Sequence, residues 1–165
     1  MKRTRTDFDR LIAELRFDRD QLAEIADSNR RAIERIDAGS TDVLDLYALG
    51  YTIHNVYGMI EGGCLRISKF FENSLPSDAW HKELLSRMLI DIPGLRPAFL
   101  DRDAYVLFDE LRGFRHVFLN SYNRPLDRER TLLLQKKVPV AIAAFDTAVE
   151  RFVLFLQDFR GRISE

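Results

Sequence analysis

Cysteine and histidine are scarce in this sequence, and their scarcity excludes several classes of site. Cys64 is the only cysteine among the 165 residues, so the chain cannot form an internal disulfide or a zinc site built from several cysteines. The three histidines, His54, His81 and His116, lack the spacing of a zinc-binding motif. We therefore expect no metal and no other cofactor, and the single cysteine suits a reducing compartment such as the cytoplasm.

Long apolar runs and a strong excess of either charge are also absent. No stretch approaches the roughly 18 consecutive apolar residues of a membrane-spanning helix, and no apolar segment follows the basic residues 1–5 as in a signal peptide. The formal net charge is −1, whereas domains that bind nucleic acid over their whole surface are usually basic. The sequence therefore predicts a cytoplasmic protein without a membrane contact, and any RNA contact must use a local basic patch.

What the sequence does contain is helical periodicity along nearly its whole length. Apolar residues recur at spacings of three, four and seven, and no segment alternates long enough to predict a strand. The pattern predicts helices at about 6–37, 42–73, 78–91, 102–122 and 127–160, the last one kinked at Pro139. We expect one all-α domain over residues 1–165, an up-and-down bundle of four to five helices, with residues 1–5 as a disordered tip.

Glycine interrupts the second predicted helix at Gly58, Gly62 and Gly63. Each glycine inside a helix costs about 1 kcal/mol relative to alanine. Close packing against a neighbouring helix would offset that cost.

The most basic part of the sequence is the fourth predicted helix and its exit. Its basic residues are Arg112, Arg115, His116, Arg124, Arg128 and Arg130. Arg115 and Tyr122 are seven residues apart and would share one helical face, while Arg112 and His116 are four apart and adjacent. Guanidinium, imidazole and phenol groups together suit a phosphodiester, because they can hold phosphate oxygens, move a proton near neutral pH and stack on a base.

Two polar residues of the second helix also share a face, because His54 and Glu61 are seven apart. They have two readings. They are either structural residues, or they line a cleft beside Arg115.

Three segments of the sequence resemble the HepT-like proteins, a branch of the HEPN superfamily. The main one is residues 114–122 (FRHVFLNSY), and the others are residues 51–57 (YTIHNVY), which lead to Glu61, and 75–85 (LPSDAWHKELL). The resemblance extends over residues 40–160. It implies a helical bundle that pairs as a homodimer and serves as the toxin of a toxin–antitoxin pair. It also implies an MNT nucleotidyltransferase as the antitoxin partner and metal-independent RNase activity, with tRNA as the implied substrate.

The family motif can be carried over residue by residue. Arg115 matches its arginine, His116 the polar residue that follows, and Tyr122 the tyrosine that the partner enzyme modifies with AMP. Asn120 stands where the catalytic histidine belongs. An amide has no useful pKa for proton transfer, so we expect RNA cleavage by this chain to be weak or absent.

Several alternatives stay open. Asn120 is either the residue of a naturally non-catalytic member or the replacement of a toxic histidine. His116 would be a poor substitute base, because it points about 100° away from Arg115 around the helix. Beside these, Arg112, His54, Glu61 and Arg124 are candidates for lining the cleft. The rival functions are a non-catalytic HEPN domain that binds RNA or nucleotide or assembles with an MNT partner, and a purely structural bundle.

Overall fold

The computed structural model describes residues 3–72, 80–121 and 124–162, and within these ranges the chain forms six helices and no strand. The helices are α1 (Arg5–Asp37), α2 (Val43–Phe71), α3 (Trp80–Arg87), α4 (Arg102–Leu119), α5 (Arg128–Gln135) and α6 (Val138–Gly161). The prediction of an all-α bundle is confirmed. None of the helices in these ranges is both long enough and apolar enough to cross a membrane.

Short polar side chains start most of the helices. Thr4 and Asp7 form a reciprocal capping box at the start of α1, and Asp42, Asp101 and Asp127 cap α2, α4 and α5. In each case a side-chain oxygen accepts a hydrogen bond from a backbone N–H that has no partner inside the helix. The expected disordered tip at residues 1–5 is therefore too long, because Thr4 and Arg5 already belong to the start of α1. Residues 1 and 2 lie outside the described ranges.

The long helix α2 lies at the centre of the bundle, in contact with α1 on one side and with α4 and α6 on others. Two glycines allow the close approach. A Cβ atom at Gly63 would lie 2.8 Å from Phe145 of α6, and one at Gly50 would lie 3.0 Å from Phe118 of α4. Gly58 instead faces open space. Close packing against a neighbouring helix can therefore offset the cost of a glycine within the helix at Gly63, but not at Gly58.

Three of the predicted helices differ in their bounds from the helices of the structure. The predicted helix 127–160 is two helices, with a turn at residues 136–137, and Pro139 lies in the first turn of α6. A proline there lacks only an N–H that has no helical acceptor, so it starts a helix instead of kinking one. The predicted helix 102–122 ends at Leu119, and the predicted helix 78–91 is described only as α3.

A buried arginine holds the connection between α3 and α4. Arg96 is 0% exposed at its side chain and forms an ion pair with Glu72. Its remaining N–H groups donate to the carbonyl oxygens of Arg87, Ile90 and Pro97. The connection is thereby fastened to the end of α2, which keeps the start of α4 in a defined place.

Candidate functional site

The contact between α2 and α4 brings Arg115 to Glu61. Leu111 is buried in the core one turn before Arg115, so Arg115 lies at the edge of the inner face of α4. Its Nη1 donates to Oε2 of Glu61 at 2.6 Å, and the two side chains are 26% and 9% exposed. The guanidinium also lies over the ring of Tyr57, 5.9 Å from its centroid.

This ion pair fixes the direction of the guanidinium. A charge-assisted hydrogen bond between partly buried groups is short and directional. Because Glu61 is almost fully buried and paired, Arg115 is held at the rim of the α2–α4 contact and does not move freely in solvent. The same pairing also reduces the net positive charge that a phosphate would meet.

His54 lies on the same side of α2 as Glu61, nearly two turns earlier. Its ring stacks on Phe118 of α4, with centroids 5.5 Å apart and planes inclined by 27°. Its Nδ1 is buried and makes no hydrogen bond in the described part of the chain. Burial lowers the pKa of His54, and the nearby positive charge of Arg115 lowers it further, while Glu61 acts in the opposite direction. His54 is therefore neutral near pH 7.

Tyr57 lies between His54 and Glu61 along α2 and is fully buried. Burial raises the pKa of its phenol, and the negative charge of Glu61 raises it further. The phenol therefore stays protonated at every physiological pH. The ring of Tyr57 lies beneath the guanidinium of Arg115.

The other predicted cleft residues differ in position. Arg112 is half-buried one turn before Arg115, where it pairs with Asp109 of the same helix at 2.7 Å. Its positive charge reaches the buried phenol of Tyr57 and opposes the rise of that pKa. His116 and Arg124 lie on the exposed surface. Arg112 and His116, expected to be adjacent, both lie within α4, and Arg112 is the more buried of the two.

Asn120 is the C-cap of α4. Its side-chain Nδ2 donates to the backbone oxygen of His116 at 2.7 Å, so the amide supplies a partner to one of the last carbonyls of the helix. The helix α4 ends at Leu119, before the end of the predicted helix 102–122. Tyr122, the predicted modification site, lies outside the described residues.

The structure thus pairs Arg115 with Glu61, packs His54 against Phe118 at the same α2–α4 contact, and leaves His116 and Arg124 at the surface. Sequence reasoning missed Tyr57 as a part of this site. Its signal was available, since Tyr57 is three residues after His54 and four before Glu61, which places it on the same side of α2. Within the described ranges, no group of three or more His, Cys, Asp or Glu side chains is arranged to hold a metal ion.

The comparison with known proteins identifies a family. A family model described as HepT-like protein matches residues 48–156, which include all of α4 and all but the first five residues of α2. No curated protein and no solved structure matches the chain.

Proposed function

Because the chain belongs to the HepT-like family, we propose that it is the toxin component of a toxin–antitoxin pair, built on a metal-independent RNase site at Arg115. The family is associated with such pairs. In the proposed reaction tRNA is the substrate, and the protein acts in the cytoplasm. The observation that carries the proposal is Arg115, held by Glu61 at the rim of the α2–α4 contact, with His54 packed on Phe118 at the same contact.

The role proposed for Arg115 is to bind the scissile phosphate. A guanidinium can hold two phosphate oxygens in a fixed plane and stabilise the charge of the pentavalent transition state. The hydrogen bond from Arg115 to Glu61 supports this role, because it sets the orientation of the group before RNA arrives. Arg112, one turn away, would add positive charge, and His116 would support the phosphate from the surface.

Asn120 limits the proposed activity. Cleavage without a metal needs a base for the 2′-hydroxyl and an acid for the leaving oxygen, and each proton transfer contributes typically about 10²–10⁴-fold in rate. The amide of Asn120 cannot supply either, and its N–H is already directed at the carbonyl of His116. We therefore propose that this chain cleaves RNA weakly or not at all.

A histidine at position 120 would fit the same cap. The Nδ1 atom of histidine and the Nδ2 atom of asparagine are both bonded to Cγ, so an Nδ1–H can donate to the His116 oxygen as the amide does now. That hydrogen bond would fix the tautomer with Nε2 as the free acceptor. The cap of α4 therefore supports Asn120→His as a substitution that adds chemistry without disturbing the helix.

The proposed assembly is a homodimer formed through α4, with an MNT nucleotidyltransferase as antitoxin. Val106 and Val117 are 50% and 58% exposed on α4. Gly113, on the same face between them, borders open space. Two exposed valines with a glycine between them allow two helices to approach closely, which supports pairing of two copies. The proposed site of AMP modification by the antitoxin is Tyr122.

The second candidate is a non-catalytic HEPN domain that binds RNA or nucleotide, or that only assembles with the MNT partner. Two observations favour it: Asn120 has a purely structural hydrogen bond, and Glu61 already neutralises much of the charge of Arg115. In this case RNA binding should still weaken as salt rises, because phosphate contacts release counterions.

The test is an RNase assay on total tRNA in the presence of a metal chelator. We expect Asn120→His to cleave at least about 10²-fold faster than the original chain. Asn120→Gln is the matched control, because it keeps an amide and cannot titrate. The double variant Asn120→His with Arg115→Gln should be inactive, since the phosphate ligand is lost. If Asn120→His neither cleaves RNA nor arrests growth when expressed, the toxin proposal is wrong.

A further inference from the structure

The position of His54 goes beyond the family motif, which lies entirely on α4 and its exit. His54 comes from α2, seven residues before Glu61, and it stacks on Phe118 of α4, three residues after Arg115, so it lies at the same α2–α4 contact as the Arg115–Glu61 pair. The stacking fixes the plane of the ring. Nδ1 points into the protein without a hydrogen-bond partner in the described part of the chain. The nitrogen left for a ligand is therefore Nε2.

A buried polar atom without a partner is rare in folded proteins and calls for an explanation. An imidazole used only for packing against Phe118 could be replaced by an apolar ring without that cost. A histidine at this position is explained if its second nitrogen, Nε2, transfers a proton to or from a ligand at the surface. Metal-free RNA cleavage requires such a group, because it needs two proton-transfer groups and position 120 offers one at most.

We infer that His54 accepts the proton of the attacking 2′-hydroxyl of an RNA held at Arg115. This inference rests on the proposed function. The O2′–H bond breaks, its proton passes to Nε2 of His54, which accepts it in the tautomer with the hydrogen on Nδ1, and O2′ forms a bond to phosphorus. The bond from phosphorus to O5′ breaks in turn, and O5′ takes a proton from Nε2 of the protonated imidazole, the imidazolium, in Asn120→His or from water in the original chain. The products are a 2′,3′-cyclic phosphate and a 5′-hydroxyl.

The charges that face His54 suit a base. Arg115 approaches from α4 and Glu61 lies on α2 itself, and together with burial they leave the ring neutral and able to accept a proton. A phosphate bound at Arg115 would cancel the positive charge that now lowers the pKa of His54. Substrate binding would therefore strengthen the base at the moment it is needed.

The first test compares single-turnover cleavage by Asn120→His with that of the double variant Asn120→His with His54→Gln. Glutamine keeps a polar side chain but cannot titrate. We therefore expect the single-turnover rate constant at saturating protein to fall about 10²-fold, with little change in the protein concentration that gives half of the maximal rate. The acid limb of the pH–rate profile, which reports deprotonation of the base, should disappear. Asn55→Ala is the matched control on the same turn of α2 and should leave the rate and the profile unchanged.

The outcomes separate the two proposals. Equal rates for Asn120→His with and without His54→Gln would overturn the role of His54 and leave the proposed function intact. Loss of all cleavage in Asn120→His itself would overturn the proposed function.

A second measurement tests His54 without any turnover. In ¹⁵N-imidazole NMR of the original chain, a 2′-O-methyl RNA oligonucleotide, which cannot be cleaved, should shift the Nε2 resonance of His54 and raise its pKa. Arg115→Gln should abolish both changes, because the phosphate would no longer be held beside the ring. A titration of His54 that is identical with and without the oligonucleotide overturns the inference.

Discussion

Glu61 shows how much a single residue contributes at the α2–α4 contact. We expect Glu61→Gln to lower the free energy of unfolding by about 1–3 kcal/mol, because it leaves the guanidinium of Arg115 partly buried beside a neutral amide. The matched control is Glu34→Gln, which removes an ion pair with Arg30 between two exposed side chains and should lower the free energy of unfolding much less, because both partners are solvated without the pair. Urea denaturation of both variants checks this. Equal losses would mean that burial of the Glu61 pair adds nothing.

At this scale the sequence indicates which residues share a helical face, but not which faces meet. The spacing of His54 and Glu61 placed them on one face of α2, but it left open whether that face met Arg115. That depends on how α2 and α4 cross, which is decided by core contacts between residues far apart in sequence, such as Gly50 with Phe118. Asn120 was read only as a missing imidazole, because the apolar periodicity continued past it and hid the end of the helix.

Among the elements, α2 contains two glycines, Gly58 and Gly63, at which substitution by alanine should change the stability of the protein in opposite directions. We expect Gly63→Ala to destabilise the protein by about 1–3 kcal/mol, because its Cβ would lie 2.8 Å from the ring of Phe145. That ring is packed against Phe99 and Phe108 and cannot move aside easily. Gly58→Ala is the same substitution at an open position, and should stabilise by about 0.5–1 kcal/mol.

Thermal unfolding followed by circular dichroism checks the pair. The two substitutions change the unfolded chain in the same way, so opposite shifts in melting temperature must come from the folded state. Stabilisation of similar size at both positions would show that α2 does not approach α6 as closely as described.

The predicted last helix illustrates what periodicity misses in an element. Apolar residues continue with helical spacing from α5 into α6, so the pattern alone indicated one helix with a kink at Pro139. The chain instead turns at residues 136–137. A reciprocal pair of hydrogen bonds between Asn29 and Gln135, with Thr52 beside them, fastens the end of α5 to α1 and α2. That buried polar contact joins residues far apart in sequence, which no local pattern reveals.

For the whole molecule, the two exposed valines of α4, Val106 and Val117, lead to a prediction about assembly. We expect Val117→Glu to weaken self-association by about tenfold or more, because it places a charge in the proposed contact between two copies. Leu154→Glu is the matched control, since Leu154 is equally exposed but lies on α6. Sedimentation equilibrium over a range of concentrations measures both. An unchanged dimer in Val117→Glu, or a monomer in all three proteins, would contradict pairing through α4.

The overall class of the fold was predictable because helical periodicity is local and extends through almost the whole chain. The arrangement of the helices was not, since similar apolar stripes on α1, α2 and α6 permit many pairings. Small and buried residues selected among them, above all Gly50 and Gly63, which only a structure reveals as points of close approach.

The cap at Asn120 also has a genetic consequence. The codons of asparagine and histidine differ only in their first base, so one nucleotide change in a gene for this chain produces the histidine form. Because that form would keep the hydrogen bond to the His116 oxygen, folding would not select against it. Cells that carry the gene would generate histidine variants at the ordinary mutation rate. Their persistence or disappearance in a growing population would record whether that form is harmful.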